Sequence, residues 1–312
     1  MESTSKIYVA GHTGMVGSAM VRLLEKRSFR NLVLRTSREL DLTRQAEVES
    51  FFASEQPEYV FDAAARVGGI MANKTYRAEF IYNNMQIQNN IIHSAYTHNV
   101  KKLLFFSSSC IYPRICPQPM SEDHLWTGTL EPTNEPYAVA KLAGMSMCRA
   151  YNEQYGTQFV SVIPTNLYGP NDNYDPQNSH VMASLIQKFH IAKVRREQSV
   201  ILWGTGTPRR ELMYVDDAVD ASVHIMENYA GNDPVNIGIG SDASIRELAE
   251  TVRDVVGYHG RIEFDASKPD GAPQKLLDVA RLSSLQWKSQ TSLEQGIKQA
   301  YAWYLQSPFV VH

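Results

Sequence analysis

The sequence predicts an α/β protein with a doubly wound parallel sheet, followed by a smaller α+β region that packs on it. Three observations predict this fold. Short apolar runs alternate with longer helical stretches through the first half, a glycine-rich turn joins the first run to the first helix, and the alternation loosens after Thr165. Strands that alternate with helices form a parallel sheet, because the crossover helices must pack on both of its faces.

The first half contains the expected strands of that sheet and the helices that cover it. Strands are predicted at Lys6–Ala10, Asn31–Thr36, Tyr59–Ala65, Lys102–Ser107 and Gln158–Pro164, and helices at Ser18–Lys26, Gln45–Glu55, Glu79–Asn99 and Tyr137–Tyr155. The strand segments are short runs rich in apolar and β-branched side chains, which is typical of strands buried on both faces.

The second half begins with "PTNLYGPNDNYDPQNSH", a segment rich in Pro, Asn, Asp and Gly that is typical of loops. We therefore place a domain boundary near residue 170. The expected domains are residues 1–170, rejoined by parts of 211–240, and residues 171–312. Beyond the boundary, strands are predicted at Ser199–Trp203, Glu211–Val215 and Val235–Ile237, and helices at Val181–Arg196, Asp216–Tyr229, Ser244–Val256 and Ser292–Gln306.

The composition favours small-molecule chemistry in the cytoplasm. The 312 residues include 30 Lys and Arg against 33 Asp and Glu, a net charge of −3, so no basic surface indicates a nucleic acid or membrane partner. No stretch approaches ~18 consecutive apolar residues, and the first residues lack a secretory pattern. Three cysteines without paired spacing argue against disulfides and against a metal site, so each thiol is either core filler or reactive.

The turn "YVAGHTGMVGSAM" places Gly11, Gly14 and Gly17 directly after the first strand and at the opening of the first helix. Glycines allow a sharp turn and a close approach of the backbone to a pyrophosphate, whose charge the helix N-terminal amides then meet. The spacing alone would also suit an ordinary turn. With a strand before it and a helix after it, the segment predicts dinucleotide binding.

The end of the second predicted strand indicates which dinucleotide is bound. An acidic residue there suits the ribose hydroxyls of NAD, whereas arginine suits the extra phosphate of NADP. The segment "LRTSREL" has Arg35 and Arg38 and no acid before Glu39, which favours NADP. The alternative is that both arginines are solvated surface residues.

The segment "EPYAVAKLAGM" places Tyr137 and Lys141 four residues apart, on one face of a helix. A phenol has a pKa of about 10, and a neighbouring ammonium is expected to lower it into a useful range for proton transfer. Alone, the pair could equally be a surface pair. Together with the glycine turn and "FFSSS", it indicates an oxidoreductase site.

These three motifs resemble the extended short-chain dehydrogenase/reductase family over nearly the whole chain, which implies a Rossmann fold. The resemblance implies a catalytic triad of Ser108, Tyr137 and Lys141. Members that dehydrate nucleotide sugars keep a glutamate where this chain has Cys110. A stabilised thiolate can remove a proton from a carbon beside a ketone, so the cysteine points to epimerisation rather than dehydration.

The runs "EPTNEPYAVAKLAG", "PTNLYGPNDNYDPQNSHV", "WGTGTPRRE" and "FDASKPDGAPQKLLDV" resemble the GDP-L-fucose synthase branch of that family. That branch epimerises GDP-4-keto-6-deoxy-D-mannose at carbons 3 and 5 and then reduces carbon 4 with NADPH. The resemblance implies that Cys110 and His180 are the base and acid of epimerisation. It also implies an NADP-binding domain at 1–170, a GDP-sugar-binding domain at 171–312, and a homodimer formed through the helices near Glu79–Asn99 and Tyr137–Tyr155.

The same resemblance implies two sets of binding residues. The cofactor would contact Gly11, His12, Thr13, Gly14, Met15, Val16, Gly17, Arg35, Arg38, Ser107, Lys141, Pro164, Thr165, Asn166, Leu167 and His180. The GDP portion would contact Lys188, Trp203, Arg210 and Asp270, because cations pair with diphosphate and an aromatic face suits a base. Apart from the resemblance, Trp203 could equally be core, and Asp270 in "KPDG" a turn residue.

Two departures from the family pattern bear on the cofactor. Relatives often have arginines where this chain has Thr13 and Ser37, so NADPH preference would be weakened or would rest on Arg35 and Arg38. Two other functions are considered. A redox-neutral nucleotide-sugar 4-epimerase would consume no NADPH, and a non-catalytic NADP-sensing protein would not need Ser108, Tyr137 and Lys141 together.

Overall fold

A parallel sheet with helices on both faces forms the centre of the chain's first half. The structure is a computed structural model that describes residues 1–175, 179–268 and 270–311. The strands are β1 Ile7–Ala10, β2 Leu32–Val33, β3 Tyr59–Asp62, β4 Lys102–Phe106, β5 Phe159–Pro164, β6 Asn166–Tyr168, β7 Ser199–Trp203, β8 Arg209–Arg210, β9 Leu212–Tyr214, β10 Val235–Ile237, β11 Ala243–Ser244, β12 Arg261–Asp265 and β13 Gln274–Lys275.

The helices connect these strands and flank them. They are α1 Met15–Lys26, α2 Gln45–Glu55, α3 Ile70–Thr75, α4 Arg77–Thr97, α5 Glu135–Tyr155, α6 Val181–Arg195, α7 Val215–Asn228, α8 Ile245–Val256, α9 Ala280–Ser284 and α10 Leu293–Tyr304, with short 3-10 turns at Ser109–Ile111 and Glu122–His124. Over the described ranges, none of these helices combines the length and the apolar character that a membrane span requires.

The main sheet of the described chain has the strand order β2, β1, β3, β4, β5, β10, and every neighbouring pair is parallel. The order reverses direction next to β1, since β2 lies on one side of it and β3 on the other. In open α/β sheets, ligands bind at the carboxyl ends of the strands beside such a switch point. The predicted doubly wound fold is confirmed.

Alternating side chains explain why both faces of this sheet are covered. Ile7 and Val9 pack with α1 and α7 on one face, while Tyr8 and Ala10 pack with α2 and α4 on the other. Strand β4 behaves in the same way, because Leu104 and Phe106 belong to the first of these cores, whereas Leu103 and Phe105 belong to the second. Such strands show no polar face, which is why their sequences are continuous apolar runs.

Several small elements were not predicted. Strands β6, β8, β11 and β13 have two or three residues each, too few to show a periodic pattern. Strand β12 pairs in parallel with β7 but has exposed charged residues at alternate positions, so its sequence resembles a loop. Strand β2 is shorter than predicted, because the chain leaves the sheet at Leu34 before reaching the arginines.

One buried carboxylate ties together separate segments of the second half of the chain. Glu211 is 0% exposed, and its side chain accepts hydrogen bonds from the backbone N–H groups of Ile239 (2.7 Å), Gly240 (2.8 Å) and Leu277 (2.9 Å). Its own N–H donates to the carbonyl of Lys275 (3.1 Å). Burial raises the pKa of Glu211, against the opposing effect of these N–H donors. The carboxylate thus fixes the loop after β10 and the end of β13 to one point.

We predict that Glu211→Gln destabilises the protein in the absence of any ligand. The amide retains one acceptor oxygen, but its NH2 group faces an N–H donor, so at least one buried backbone N–H loses its partner at a cost of about 2 kcal/mol. Urea unfolding at pH 7 measures the free energy of unfolding. Glu250→Gln on the exposed face of α8 is the matched control and should stay within about 0.5 kcal/mol of wild type. Equal stabilities for the two variants would contradict the role of Glu211.

Candidate active site

A cleft of about 1960 Å³ opens at the carboxyl ends of the central strands. Ordinary small-molecule pockets measure ~300–1000 Å³, so this cleft has room for two extended ligands. It gathers most of the residues that the sequence singled out. Those that line it are Gly11, Thr13, Gly14, Met15, Val16, Gly17, Arg35, Ser107, Ser108, Cys110, Tyr137, Lys141, Pro164, Thr165, Asn166, Leu167, His180, Trp203, Arg210 and Asp270.

The glycine turn is shaped by contacts that exclude any side chain at two positions. Gly11 has φ +77°, and a Cβ there would lie 2.8 Å from the carbonyl oxygen of Ala63. A Cβ at Gly17 would lie 2.2 Å from the carbonyl oxygen of Gly11, so helix α1 can approach β1 only without one. At Gly14, the nearest atom to a Cβ is 3.5 Å away, which leaves the middle of the turn open to the cleft.

The N-terminus of α1 is prepared for a negatively charged ligand. Its N-cap is Gly14, which offers no side chain to accept from the N–H groups of the first turn, and that turn contains no acidic residue. Uncapped N–H groups and the helix dipole together attract phosphate. The donor set therefore fits the pyrophosphate of a dinucleotide.

The two arginines predicted to read the extra phosphate have different surroundings. Arg35 lines the cleft, but its guanidinium donates to Glu55 (2.6 Å) and to the carbonyl of Leu34 (2.9 Å). Arg38 is exposed and lies outside the cleft wall, as does His12. Ser37, between the two arginines, does line the cleft. Arg35 therefore has part of its donor capacity committed within the protein.

Ser108 and Tyr137 come together from different elements. Ser108 follows β4 as the N-cap of the 3-10 turn, and Tyr137 lies in the first turn of α5, which begins at Glu135 after a Pro-containing loop. Both side chains line the cleft, and the Ser108 hydroxyl accepts from the backbone N–H of Cys110 (3.4 Å). Burial raises the pKa of Tyr137, and a nearby Cys110 charge raises it further, while Ser108 opposes the shift.

Lys141 does not act on Tyr137 as the sequence suggested. Its ammonium donates to the carbonyl of Phe106 (2.8 Å) and lies 4.6 Å from the ring centroid of Phe105. Burial lowers the pKa of Lys141, while Asp62 opposes that shift. The expected lowering of the Tyr137 pKa is therefore absent, because burial outweighs any effect of the ammonium. The phenol keeps its proton and is suited to act as an acid.

Cys110 lies in the 3-10 turn that Ser108 caps, and its thiol is half-buried. Burial raises the pKa of the thiol, while the Ser108 hydroxyl and the charges of Lys275 and Lys141 lower it. Cys148 differs, because it packs inside the sheet face covered by α5 and burial raises its pKa to about 12. Of the three cysteines, Cys110 lines the cleft among the described residues, which favours the reactive role for this thiol.

His180 reaches the same cleft from the second half of the chain. It is the N-cap residue of α6, and it is exposed toward the cleft. Surrounding protein nevertheless lowers its pKa by displacing water. The structure thus brings the predicted acid and the predicted base, which are far apart in sequence, to one cavity.

Of the four residues expected to hold the nucleotide, three line the cleft and one lies outside its wall. Trp203 is 71% exposed at the cleft, so it is not a core residue. Arg210 donates to the carbonyl of Ala272 (2.7 Å) and also lines the cleft. Asp270 accepts from the N–H (2.9 Å) and hydroxyl (2.7 Å) of Thr205, so its carboxylate already organises the turn after β7. Lys188 is exposed on α6 and lies outside the described cleft wall.

Two residues, one in the cleft wall and one buried behind it, escaped the sequence argument. Lys275 in β13 lines the cleft near Cys110, but only its place in "APQKLLDV" marked it. Asp62, fully buried at the end of β3, has a pKa that burial raises to about 6, and its Oδ2 has no hydrogen-bond partner. The sequence did offer one signal for Asp62, since it is a single acidic residue at the end of an apolar strand.

The chain is similar to known proteins over nearly its whole length. Residues 7–238 match the model of the NAD dependent epimerase/dehydratase family. The chain is 56% identical over 306 residues to GDP-L-fucose synthase 1 of Arabidopsis thaliana, covering 98% of this chain and 95% of that protein.

Two solved structures have the same fold over nearly their full lengths. GDP-mannoheptose C4 reductase of Campylobacter jejuni with NADP bound is 42% identical, with a TM-score of 0.91 and coverage of 98% and 99%. GDP-L-fucose synthetase of Naegleria fowleri bound to NADP is 30% identical, with a TM-score of 0.91 and coverage of 98% and 95%.

We predict that Gly17→Ala and Gly14→Ala differ sharply in stability. The new methyl at position 17 meets the backbone of Gly11 and His12, which cannot move aside cheaply, so we expect a loss of about 3 kcal/mol. The methyl at position 14 makes only an ordinary contact at 3.5 Å, so the loss should stay near the difference between Gly and Ala at an N-cap, about 1 kcal/mol or less. Urea unfolding without ligand measures both. Similar losses would show that the turn is not packed as described.

Proposed function

The chain belongs to the NAD dependent epimerase/dehydratase family, and we propose that it converts GDP-4-keto-6-deoxy-D-mannose to GDP-L-fucose. The reaction comprises epimerisation at carbons 3 and 5 and reduction at carbon 4, with NADPH as the reductant. The observation that carries this proposal is that Cys110 and His180 share one cleft with Ser108, Tyr137 and Lys141. The 56% identity to a GDP-L-fucose synthase over nearly the whole chain supports it.

The cofactor half of the cleft suits NADPH, which when bound supplies the hydride for carbon 4. The open turn at Gly14 and the uncapped start of α1 would hold the pyrophosphate. Pro164 to Leu167, at the carboxyl end of β5 and the start of β6, would line the nicotinamide side. Ser37 and Arg38 would contact the extra phosphate. Arg35 would contribute those of its N–H donors that are not bonded to Glu55.

Epimerisation requires a base and an acid that reach the sugar ring. In the proposed step, the Cys110 thiolate removes the proton beside the ketone, so a C–H bond breaks, an S–H bond forms and the electron pair moves to the carbon 4 oxygen. Ser108 and Tyr137 hydrogen-bond that oxygen and stabilise its charge. His180 returns a proton to the opposite face of the ring, which inverts the centre.

Reduction uses the proton that burial retains on Tyr137. Because its pKa is raised, the phenol stays protonated at neutral pH and donates to the carbon 4 oxygen as negative charge develops there. Ser108, which lines the same cleft, would hydrogen-bond the carbon 4 oxygen beside Tyr137. Lys141, held by the Phe106 carbonyl, would contact the nicotinamide ribose.

The GDP portion would lie in the part of the cleft formed by the second half of the chain. Trp203 offers an open aromatic face to a base, and Arg210 can pair with the diphosphate. We assign Asp270 to holding the turn at Thr205 under the nucleotide, in addition to any direct contact. We also propose that Lys188 contacts the GDP portion, which would then have to extend beyond the cleft wall.

We also propose a division into two domains, a homodimer and a cytoplasmic location. Residues 1–170 with parts of 211–240 would form the NADP-binding domain, and residues 171–312 the GDP-sugar-binding domain. The fact that β10 pairs with β5 supports the return of the later segment to the first domain. A homodimer through α4 and α5 and a cytoplasmic location are proposed on the family resemblance.

We predict loss of NADPH absorbance at 340 nm when the protein is mixed with GDP-4-keto-6-deoxy-D-mannose. Tyr137→Phe removes the proton donor and should lower this rate by about 10²–10⁴-fold, with NADPH binding largely retained. A redox-neutral 4-epimerase would convert substrate without net oxidation, and a sensor protein would convert nothing. Either result would refute the proposal, and product identification completes the test.

We predict that Cys110→Ser separates epimerisation from cofactor binding. In deuterated water, exchange at carbons 3 and 5 should fall by about 100-fold or more, because serine is a far weaker acid than a thiol. NADPH affinity, measured by titration, should change by less than about twofold. Cys116→Ser, outside the described cleft wall, is the matched control and should exchange as wild type does. Undiminished exchange in Cys110→Ser would make that thiol structural and leave a reductase without this base.

A further inference from the structure

We propose that Lys275 is the residue that stabilises the negative charge of the Cys110 thiolate, and so makes this cysteine a competent base. Lys275 lies in β13 and lines the same cleft as Cys110. The inference rests on the proposed epimerisation for its purpose, but the interaction itself belongs to the protein without ligand. In the proton-abstraction step, Lys275 keeps its proton and no bond to it forms or breaks.

The need for such a cation follows from where the thiol lies. Burial opposes the charged form of Cys110, and a buried thiol stays protonated unless positive charge or hydrogen bonds favour its anion. The helpers present are Ser108, Lys275 and Lys141. Tyr137 is also close, but an anion at Cys110 disfavours a second anion there. The hydroxyl of Ser108 accepts from the backbone N–H of Cys110 (3.4 Å) and carries no charge, so positive charge must come from a lysine.

Lys141 is poorly placed to supply that charge alone. Its ammonium is committed to the carbonyl of Phe106 (2.8 Å) and to the face of Phe105, and it also interacts with the buried Asp62. Lys275, by contrast, makes neither an ion pair nor a side-chain hydrogen bond within the described residues. Burial lowers its pKa and Arg210 lowers it too, while Cys110 and Glu131 favour its charged form. The effects of Lys275 and Cys110 are therefore mutual.

The backbone holds Lys275 in place from three sides. Its carbonyl accepts from the N–H of Glu211 (3.1 Å), and β13 pairs in parallel with β8, which places it opposite Arg210. The next residue, Leu276, donates to the side chain of Gln118 (2.8 Å) and accepts from the N–H of Met120 (2.7 Å). Both partners belong to the loop that leads away from Cys110. The lysine and the cysteine are thus fixed to one framework before any ligand arrives.

The competing role for Lys275 is direct contact with the diphosphate, since Arg210 is its neighbour and the two cations repel each other. That role predicts weaker GDP binding and no effect on the thiol. The proposed role predicts a change in thiol chemistry that needs no substrate. The two can therefore be separated by experiment.

The test measures the rate at which iodoacetamide modifies Cys110 between pH 6 and pH 10 in the full-length protein. Trypsin places Cys110, Cys116 and Cys148 in different peptides, because Lys102, Arg114, Lys141 and Arg149 separate them, so mass spectrometry follows each thiol alone. Removing an opposite charge near a thiol raises its pKa, so Lys275→Met should move the midpoint for Cys110 upward by about one pH unit or more. Lys275→Arg keeps the charge and should restore most of the shift.

Controls make each outcome decisive. Lys288→Met, an exposed lysine away from the cleft, should leave the midpoint unchanged. Circular dichroism and urea unfolding establish that each variant is folded, and Lys275→Gln replaces Lys275→Met if the apolar side chain is not tolerated. An unchanged Cys110 midpoint in a folded, uncharged variant overturns the proposal, and a loss of GDP affinity alongside it assigns Lys275 to the diphosphate. If the midpoint shifts but no solvent exchange at the sugar occurs in wild type, the proposed function fails while the pairing stands.

Discussion

The hydrogen bonds to the buried carboxylate of Glu211 are the constraint on which the cleft depends. Three backbone N–H groups from two distant loops converge on it, and its own carbonyl accepts from the side chains of Thr165 (3.2 Å) and Asn166 (3.4 Å). One residue therefore fixes the segment at Thr165 and Asn166, the loop after β10 and the strand that carries Lys275 relative to one another. A buried carboxylate is costly unless its acceptor capacity is filled, and here backbone groups fill it. The bonds that offset its burial hold the loop after β10 to the segment after β13, and the backbone carbonyl of Glu211 ties both to the end of β5.

Burial controls the resting charges of the groups around the sugar. It raises the pKa of Cys110 and Tyr137 and lowers the pKa of Lys141 and His180. All four shifts favour the uncharged form. In the proposed reaction this suits Tyr137, which would give up a proton, but it works against Cys110, which would accept one. The charges of Lys275 and Lys141 favour the anion of Cys110, whereas burial and the Cys110 charge both disfavour the anion of Tyr137.

The sequence was sufficient for the central sheet and for the residues at strand ends, and insufficient for contacts between the halves. Continuous apolar runs identified β1, β4 and β5, and Gly17 was recognisable because its spacing reflects a backbone contact within a few residues. The lowered pKa expected for Tyr137 was wrong, because spacing on a helix does not record the burial that raises it, whereas the catalytic role of Lys141 stays a prediction. The roles of Glu211 and Lys275 depend on partners far away in sequence, which no local pattern records. Two-residue strands such as β13 exist only because tertiary contacts create them.

The attachment of β13 to the loop after Cys110 has a consequence for biosynthesis. Strands β1 to β5 emerge from the ribosome early, and N-terminal parts of a chain generally fold first during synthesis. The segment with Leu276 emerges much later, yet its bonds to Gln118 and Met120 complete the wall beside the thiol. A growing chain can therefore possess a finished dinucleotide turn while the cysteine still lacks its neighbouring lysine. The thiol acquires these neighbours only after the segment with Leu276 has been synthesised, so this wall of the cleft is completed after the sheet.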